Sequence, residues 1–305
     1  MNNIINFLKL IRVENLIILF FTQFMFYYYI NGNFGNVSLY LLLIISFLVA
    51  ASGYIINDIY DEKLDRINKE SVIIGDSITS RKAIFFYYSF NILAVLISIY
   101  LYVLDTNKYI NLKIYSEFSL NCKSILFIII ILSIFILKWY SKSYKYKFFI
   151  GNLIVSFLIS LSIFNVILLE CFQSSLNFIY YQLPFIVFSF TLTFAREIIK
   201  DLEDIEGDKL MKSNCIASKL NLHQTKYIII FTLLITLLVF ICWSILFNDF
   251  KILTIYNIFI SLIIIISIYK VIISKNKKDF KQISFLLKII MILGILIIPL
   301  YFQSL

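Results

Sequence analysis

The chain has 305 residues, of which 61% are hydrophobic and only 15% charged, too apolar a balance for a soluble domain of ordinary composition. Ile, Leu and Phe runs recur from end to end at the ~20 residues that a bilayer core of ~30 Å requires, so the bilayer is the expected solvent. The formal net charge of +9 lies between those runs, where it sets topology and implies no nucleic-acid partner.

In chain order, hydropathy predicts spans near residues 14–30, 39–56, 83–104, 123–138, 151–169, 180–199, 227–247, 252–273 and 283–301. The first run is followed by Asn31-Gly32-Asn33 without a small-residue cleavage pattern, so it is expected to stay as a membrane helix. The predicted fold is therefore an all-α integral membrane protein, with about nine transmembrane helices in one bundle and a single membrane-embedded domain over residues 1–305. Basic residues cluster in alternate loops, as in Lys63, Arg66 and Lys69, in Lys142, Lys145 and Lys147, in Lys209, Lys212 and Lys219, and in Lys275, Lys277 and Lys278. The positive-inside rule places these loops and the N-terminus in the cytoplasm, the C-terminus outside, and the protein in the cytoplasmic (inner) membrane of a bacterium. Cys122, Cys171, Cys215 and Cys242 have no metal or redox spacing and read as incidental thiols. His223, just ahead of a hydrophobic run, reads as a helix-start residue.

Aspartate is concentrated in two segments, Asn57-Asp58-Ile59-Tyr60-Asp61-Glu62-Lys63-Leu64-Asp65 and Lys200-Asp201-Leu202-Glu203-Asp204-Ile205-Glu206-Gly207-Asp208. Asp58, Asp61 and Asp65 recur 143 residues later as Asp201, Asp204 and Asp208, with the same offsets of three and seven. The fold is thus expected to rest on a four-helix repeat with a polar cytoplasmic cap, in which two half-sites face each other. At ~100° per residue each trio falls within ~60° on a helical end, so three like charges share one face. Hard oxygen ligands without Cys or His neighbours point to Mg²⁺, which takes one or two carboxylates plus phosphate and water. Arg66 and Lys200 lie in the same segments as candidate phosphate contacts. A metal-bound diphosphate at the end of an apolar bundle suggests a lipid donor such as an allylic prenyl diphosphate, with Mg²⁺ stabilising the leaving group. The bland alternative is a pair of solvated acidic loops, and the registered duplication weighs against it. Asp76, outside both motifs, is expected to tolerate neutralisation.

With these residues in place, the chain resembles the UbiA superfamily of intramembrane prenyltransferases. Its first signature is resembled by Asn57-Asp58-x-x-Asp61-x-x-x-Asp65 with Arg66-Ile67-Asn68-Lys69, and its second by Arg196-Glu197-Ile198-Ile199-Lys200-Asp201-x-x-Asp204-x-x-Gly207-Asp208. Arg12-x-x-Asn15, Tyr140, Lys145 and Gly151-Asn152 are similar to further family positions. The second signature is most similar to the geranylgeranylglycerol-phosphate geranylgeranyltransferase branch. Two stretches depart from the pattern: Glu70 to Gly75 lacks a proline and a basic residue, for which Ser80, Arg81 and Lys82 are possible substitutes, and Met211 to Ser218 lacks Thr-Leu-Pro.

The resemblance implies a nine-helix bundle and Mg²⁺-dependent prenyl transfer to a membrane acceptor, a glycerol phosphate ether lipid first and an aromatic quinone precursor second. It implies catalytic roles for Asp58, Asp61, Asp204 and Asp208, and metal ligation by Asp58, Asp61, Asp65, Asp201, Asp204 and Asp208. Asn57, Arg66, Lys145 and Lys200 are the expected donor contacts, and Arg12 and Asn15 are expected on the acceptor side. The reading from a different class is a carrier or cation transporter, which needs carboxylates midway along interrupted helices.

Overall fold

In a computed structural model the described residues are 2–31, 36–68, 72–104, 109–111, 119–170, 177–210, 214–246 and 251–302. Apart from the connecting turns and bends they are helical, with one 3-10 turn and two three-residue strands, Tyr109–Asn111 and Ser119–Asn121, which pair antiparallel. The chain divides into two compact units, residues 1–144 with 162–179, and residues 145–161 with 180–305.

The first unit contains α1 (Asn2–Leu10), α2 (Val13–Asn31), α3 (Val37–Asn68), the single turn α4 (Ile73–Asp76), α5 (Ser80–Val103) and α6 (Cys122–Lys142). It also takes the second half of α7 (Ile150–Glu170). α3 begins where Asn36 accepts from Ser38 N through Oδ1 at 2.9 Å, satisfying one of the orphan donors of a helix start. It then runs unbroken for 32 residues. Its neighbours within the unit are α1, α2, α4, α5 and α6, and 61% of its membrane span is buried against 28% for α5. α3 is thus the core helix of this unit, and α5 turns Phe85, Ile92, Leu96 and Tyr100 outward as a lipid-facing helix does. Leu10, Ile11, Leu16, Ile55, Ile74, Ile78 and Tyr87 form a buried cluster at the motif end of α3. A polar tie crosses the apolar interior, where Gln23 Nε2 donates to Ser46 Oγ at 3.0 Å and to Ser162 O at 2.9 Å.

The second unit contains the first half of α7, nearly all of α8 (Asn177–Glu203), α9 (Ile205–Leu210), α10 (Ile216–Lys219), α11 (Leu222–Leu246), α12 (Lys251–Ile273) and α13 (Lys277–Phe302). α11 starts in a reciprocal capping box, with Gln224 N donating to Asn221 Oδ1 at 2.8 Å and Asn221 N to Gln224 Oε1 at 3.2 Å. His223 lies in that first turn, as its sequence context indicates. Thr236 Oγ1 donates to Thr191 Oγ1 at 2.9 Å, joining α11 to α8, and Tyr256 donates to Leu293 O at 3.0 Å, joining α12 to α13.

Among the described residues eight helices are long and apolar enough to cross a membrane: α3, α5, α6, α7, α8, α11, α12 and α13. The first expected span, 14–30, lies in the 19-residue α2, which is outside those eight. Its length is at the short end of what a bilayer core needs. The larger difference from expectation is at the motif ends: spans predicted to stop at 56 and 199 continue as helix to Asn68 and Glu203. Hydropathy marks the apolar part of a helix, whereas backbone hydrogen bonding carries on through the polar turns beyond it.

The cysteines are not uniformly incidental. Cys122, fully buried at the start of α6, is disulfide-bonded, while Cys215 and Cys242 are free.

Candidate functional site

Each motif lies within one of the two units. In the first, Asn57, Asp58, Asp61, Asp65 and Arg66 all lie on the last turns of α3. Asp61 is only 3% exposed, and its Oδ2 accepts from Asn57 Nδ2 at 2.8 Å. Asn57 Oδ1 is buried and has no hydrogen-bond partner among the described residues. Asp58 is also buried, and its Oδ1 is paired with Arg12 Nη2 at 3.0 Å. Arg12 occupies the turn between α1 and α2 at φ 50, an uncommon conformation for a residue with a Cβ. Its guanidinium lies 4.9 Å from the centroid of the Tyr54 ring, and Asn15 Nδ2 donates to Tyr54 Oη at 3.3 Å. Arg12, Asn15, Tyr54 and Asp58 are thereby one connected group. Asp65 is half-buried on the same helix.

The second motif is built differently. Arg196, Glu197, Lys200 and Asp201 lie on the last turns of α8, which ends at Glu203. Asp204 falls in the bend before α9, with its N–H still bonded to Lys200 O at 3.0 Å. The expected common face of Asp201, Asp204 and Asp208 is therefore not that of one continuous helix, and the side chain of Asp208 lies outside the described residues. Asp201 Oδ2 accepts from Asn152 Nδ2 at 2.9 Å. Asn152 is buried in the first turn of α7, three residues after Phe149, which takes φ 62. Lys200 Nζ bonds Glu197 Oε1. Lys145 sits in the 3-10 turn Tyr144–Tyr146, with its Nζ 5.9 Å from the Tyr146 ring centroid, and Asn214 N donates to Tyr146 O at 3.0 Å.

The two units repeat one device. In each, a residue at positive φ precedes the helix before the motif, and a side chain from that approach fixes the first aspartate, Arg12 on Asp58 and Asn152 on Asp201. The fixing group is a guanidinium in the first unit and a side-chain amide in the second. Among the described residues no three His, Cys, Asp or Glu side chains converge as a closed metal cage. The donor chemistry nevertheless fits Mg²⁺, because such ions take one or two carboxylates and complete their shell with phosphate and water. Asn57 Oδ1 is a buried oxygen beside Asp61 that still lacks a donor, as a ligand position requires.

Sequence reasoning missed the surroundings of Arg66. The guanidinium bonds Glu62 Oε1 through Nη2 at 3.3 Å and Asp76 Oδ1 through Nη1 at 3.1 Å, and these carboxylates, Glu62 first, raise it above its usual range. Asp76, read from sequence as indifferent, is thus a partner of a motif residue. No spacing rule reports the contact, because it crosses a non-helical turn.

The UbiA prenyltransferase family matches residues 18–290. Among curated proteins, digeranylgeranylglyceryl phosphate synthase of Methanococcus maripaludis strain S2 is 31% identical over 83% of this chain and 81% of that one. The protein of the same name from Sulfurisphaera tokodaii is 31% identical over 73% and 72%. Among solved structures, one of a UbiA homolog from Archaeoglobus fulgidus bound to DMAPP and Mg²⁺ has a TM-score of 0.62 at 16% identity, over 96% of this chain and 99% of that one. A solved digeranylgeranylglyceryl phosphate synthase has a TM-score of 0.69 at 24% identity over the full length of both chains. By the extent of the family match and by these relatives, the chain belongs to the UbiA prenyltransferase family.

Proposed function

We propose that this protein transfers a prenyl group from an allylic prenyl diphosphate to a membrane acceptor, a glycerol phosphate ether lipid. The observation that carries the reading is the repeated fixing of the first motif aspartate by a side chain from the start of, or the turn before, the preceding helix. Acidic loops free in solvent have no reason to carry that arrangement twice. The acceptor comes from the curated relatives, whose name specifies a glyceryl phosphate product. The donor class is supported by the DMAPP and Mg²⁺ of a structural neighbour. Against the carrier reading, Asp58, Asp61 and Asp65 occupy the last twelve residues of a 32-residue helix, and Asp201 and Asp204 flank the end of another.

In this reading Asp58, Asp61, Asp65, Asp201, Asp204 and Asp208 hold Mg²⁺, with Asn57 as an oxygen donor beside them. Bound Mg²⁺ supplies charge neutralisation for the departing diphosphate. Arg66, Lys145 and Lys200 hold phosphate oxygens, and Arg12 and Asn15 orient the acceptor through Tyr54 and Asp58. The donor's carbon–oxygen bond to diphosphate breaks, the acceptor hydroxyl oxygen bonds to that carbon, and its proton is released. We place the protein in the cytoplasmic membrane of a bacterium with the motifs and N-terminus inside. The Cys122 disulfide supports that side, since it sits at the end of α6 opposite Lys142 and disulfides persist in oxidising compartments. Reporter fusions at the N-terminus and after Asp76 should then read cytoplasmic and a C-terminal fusion external, and two termini on one side would refute an odd number of crossings.

The test of function is direct. Purified protein with Mg²⁺, a panel of prenyl diphosphates, and either geranylgeranylglycerol phosphate or an aromatic quinone precursor should yield a prenylated ether lipid by mass spectrometry. Chelation with EDTA should abolish the product and added Mg²⁺ restore it. Prenylation of the aromatic ring alone would assign the aromatic acceptor instead.

A further inference from the structure

Arg66 lies one residue beyond the last aspartate of the first motif, at the polar end of α3. A lone exposed ion pair holds an arginine weakly, because both side chains lose conformational freedom and water screens the charges. Four features make this one a seat. Glu62 is one helical turn back on α3, so Nη2 is met without any loop movement. Asp76 contributes Oδ1 to Nη1 while its Oδ2 accepts from Val72 N at 3.3 Å, so the carboxylate is itself tied to its own turn. That turn is fixed from below by Ile74 and Ile78, both buried in the cluster around Leu10 and Ile55, with Gly75 N bonded to Ile78 O at 2.9 Å. Gly75 completes the seat. It takes φ +98, and a Cβ there would stand 2.4 Å from Arg66 Nη2 and 2.9 Å from Glu62 Oε1. The guanidinium occupies the space that any side chain at position 75 would fill.

We propose that Asp76 and Gly75 are positioning residues for prenyl transfer: they hold the Arg66 guanidinium in place at the end of the first motif, preset to receive a phosphate oxygen of the donor. The planar fork keeps donors beyond the two it gives to Glu62 and Asp76, so it can bind phosphate without leaving its seat. This fills the stretch in which the sequence departs from its family, where no basic residue precedes Gly75. The inference rests on the reading of Arg66 as a donor contact.

The experiment measures kcat and KM for the prenyl diphosphate, and inhibition by inorganic pyrophosphate with Mg²⁺. Asp76→Asn keeps an oxygen for Val72 N and removes the charge facing Arg66. It should raise KM for the donor and the pyrophosphate inhibition constant roughly fivefold, leaving kcat within about twofold and the acceptor KM unchanged. Asp76→Glu should recover most of the loss, and Gly75→Ala should reproduce it. In an Arg66→Gln background, which alone should cost about tenfold in donor KM, Asp76→Asn should add almost nothing. Additive effects, or a lower donor KM in Asp76→Asn, would overturn the proposal. If Arg66→Gln leaves donor KM untouched while Asp61→Asn abolishes transfer, the positioning role fails and the prenyltransferase reading stands. If Asp61→Asn is also without effect, the reading of the motifs fails with it.

Discussion

Asp61→Asn and Asp204→Asn are each expected to lose ~100-fold or more of prenyl transfer while the protein stays folded in detergent, because each removes one negative charge and almost no volume. Asp61 is 3% exposed and accepts from Asn57, and an asparagine there still offers a carbonyl oxygen to that donor. What the variant lacks is charge, and charge is what a cation beside a leaving diphosphate needs. Asp204, in the bend between α8 and α9, is equivalent by spacing and is held by a different local structure. If the two act on one substrate, the double variant should be far less than additively worse, as for residues that function as a unit. Glu206→Gln is the matched control, since Glu206 is an exposed acid in the same segment as Asp204. It should turn over at nearly the normal rate. Near-normal turnover by either aspartate variant at saturating Mg²⁺ would sink the two-motif mechanism.

Gly151→Ala should fail in another way, losing folded yield and activity together. A Cβ at Gly151 would stand 2.7 Å from Lys145 O and 3.1 Å from Lys145 Cα, which are main-chain atoms with no rotamer to escape by. Either the 3-10 turn Tyr144–Tyr146 or the first turn of α7 must move. Overpacking of this kind typically costs ~1–3 kcal/mol, a large share of a total stability of ~5–15 kcal/mol. The displacement would also reach the site, because the next residue, Asn152, is the donor to Asp201. A thermal melt in detergent should show a midpoint lower by several degrees and a transfer rate below wild type. An unchanged melt would show that the turn relaxes freely, and Asn152 would then have to be tested alone.

What could be read from sequence was whatever depends on local spacing. The aspartate offsets gave the motifs, hydropathy gave the apolar cores of the helices, and Asn221-Leu222-His223-Gln224 gave a helix start that proved to be a capping box. Helix ends were misplaced by up to twelve residues, Asn68 in place of 56, since polarity changes before the backbone does. The site's tertiary bonds were illegible for a related reason. Arg12 and Asp58 are 46 residues apart, Asn152 and Asp201 49, and no periodicity links such pairs. Resemblance singled out Arg12 and Asn152 without saying what they touch. Asp76 escaped both routes, because its bond to Arg66 depends on the left-handed turn at Gly75.

The unbroken course of α3 has one more consequence. At 1.5 Å per residue its 32 residues measure about 48 Å, against a hydrocarbon thickness of ~30 Å. The excess of about 18 Å is the length of about twelve residues, the stretch from Asn57 to Asn68. With α3 upright and its N-terminal end at the far face, that stretch would reach headgroup level, where in the proposed reaction ions and a departing anion exchange with bulk water without crossing oil. Hydrophobic mismatch would then set their height: lengthening the acyl chains of the host lipid should draw Asp58 and Asp61 toward the hydrocarbon, and shortening them should lift the motif into the aqueous layer. Membrane thickness would thereby be coupled to the dielectric around Asp58 and Asp61.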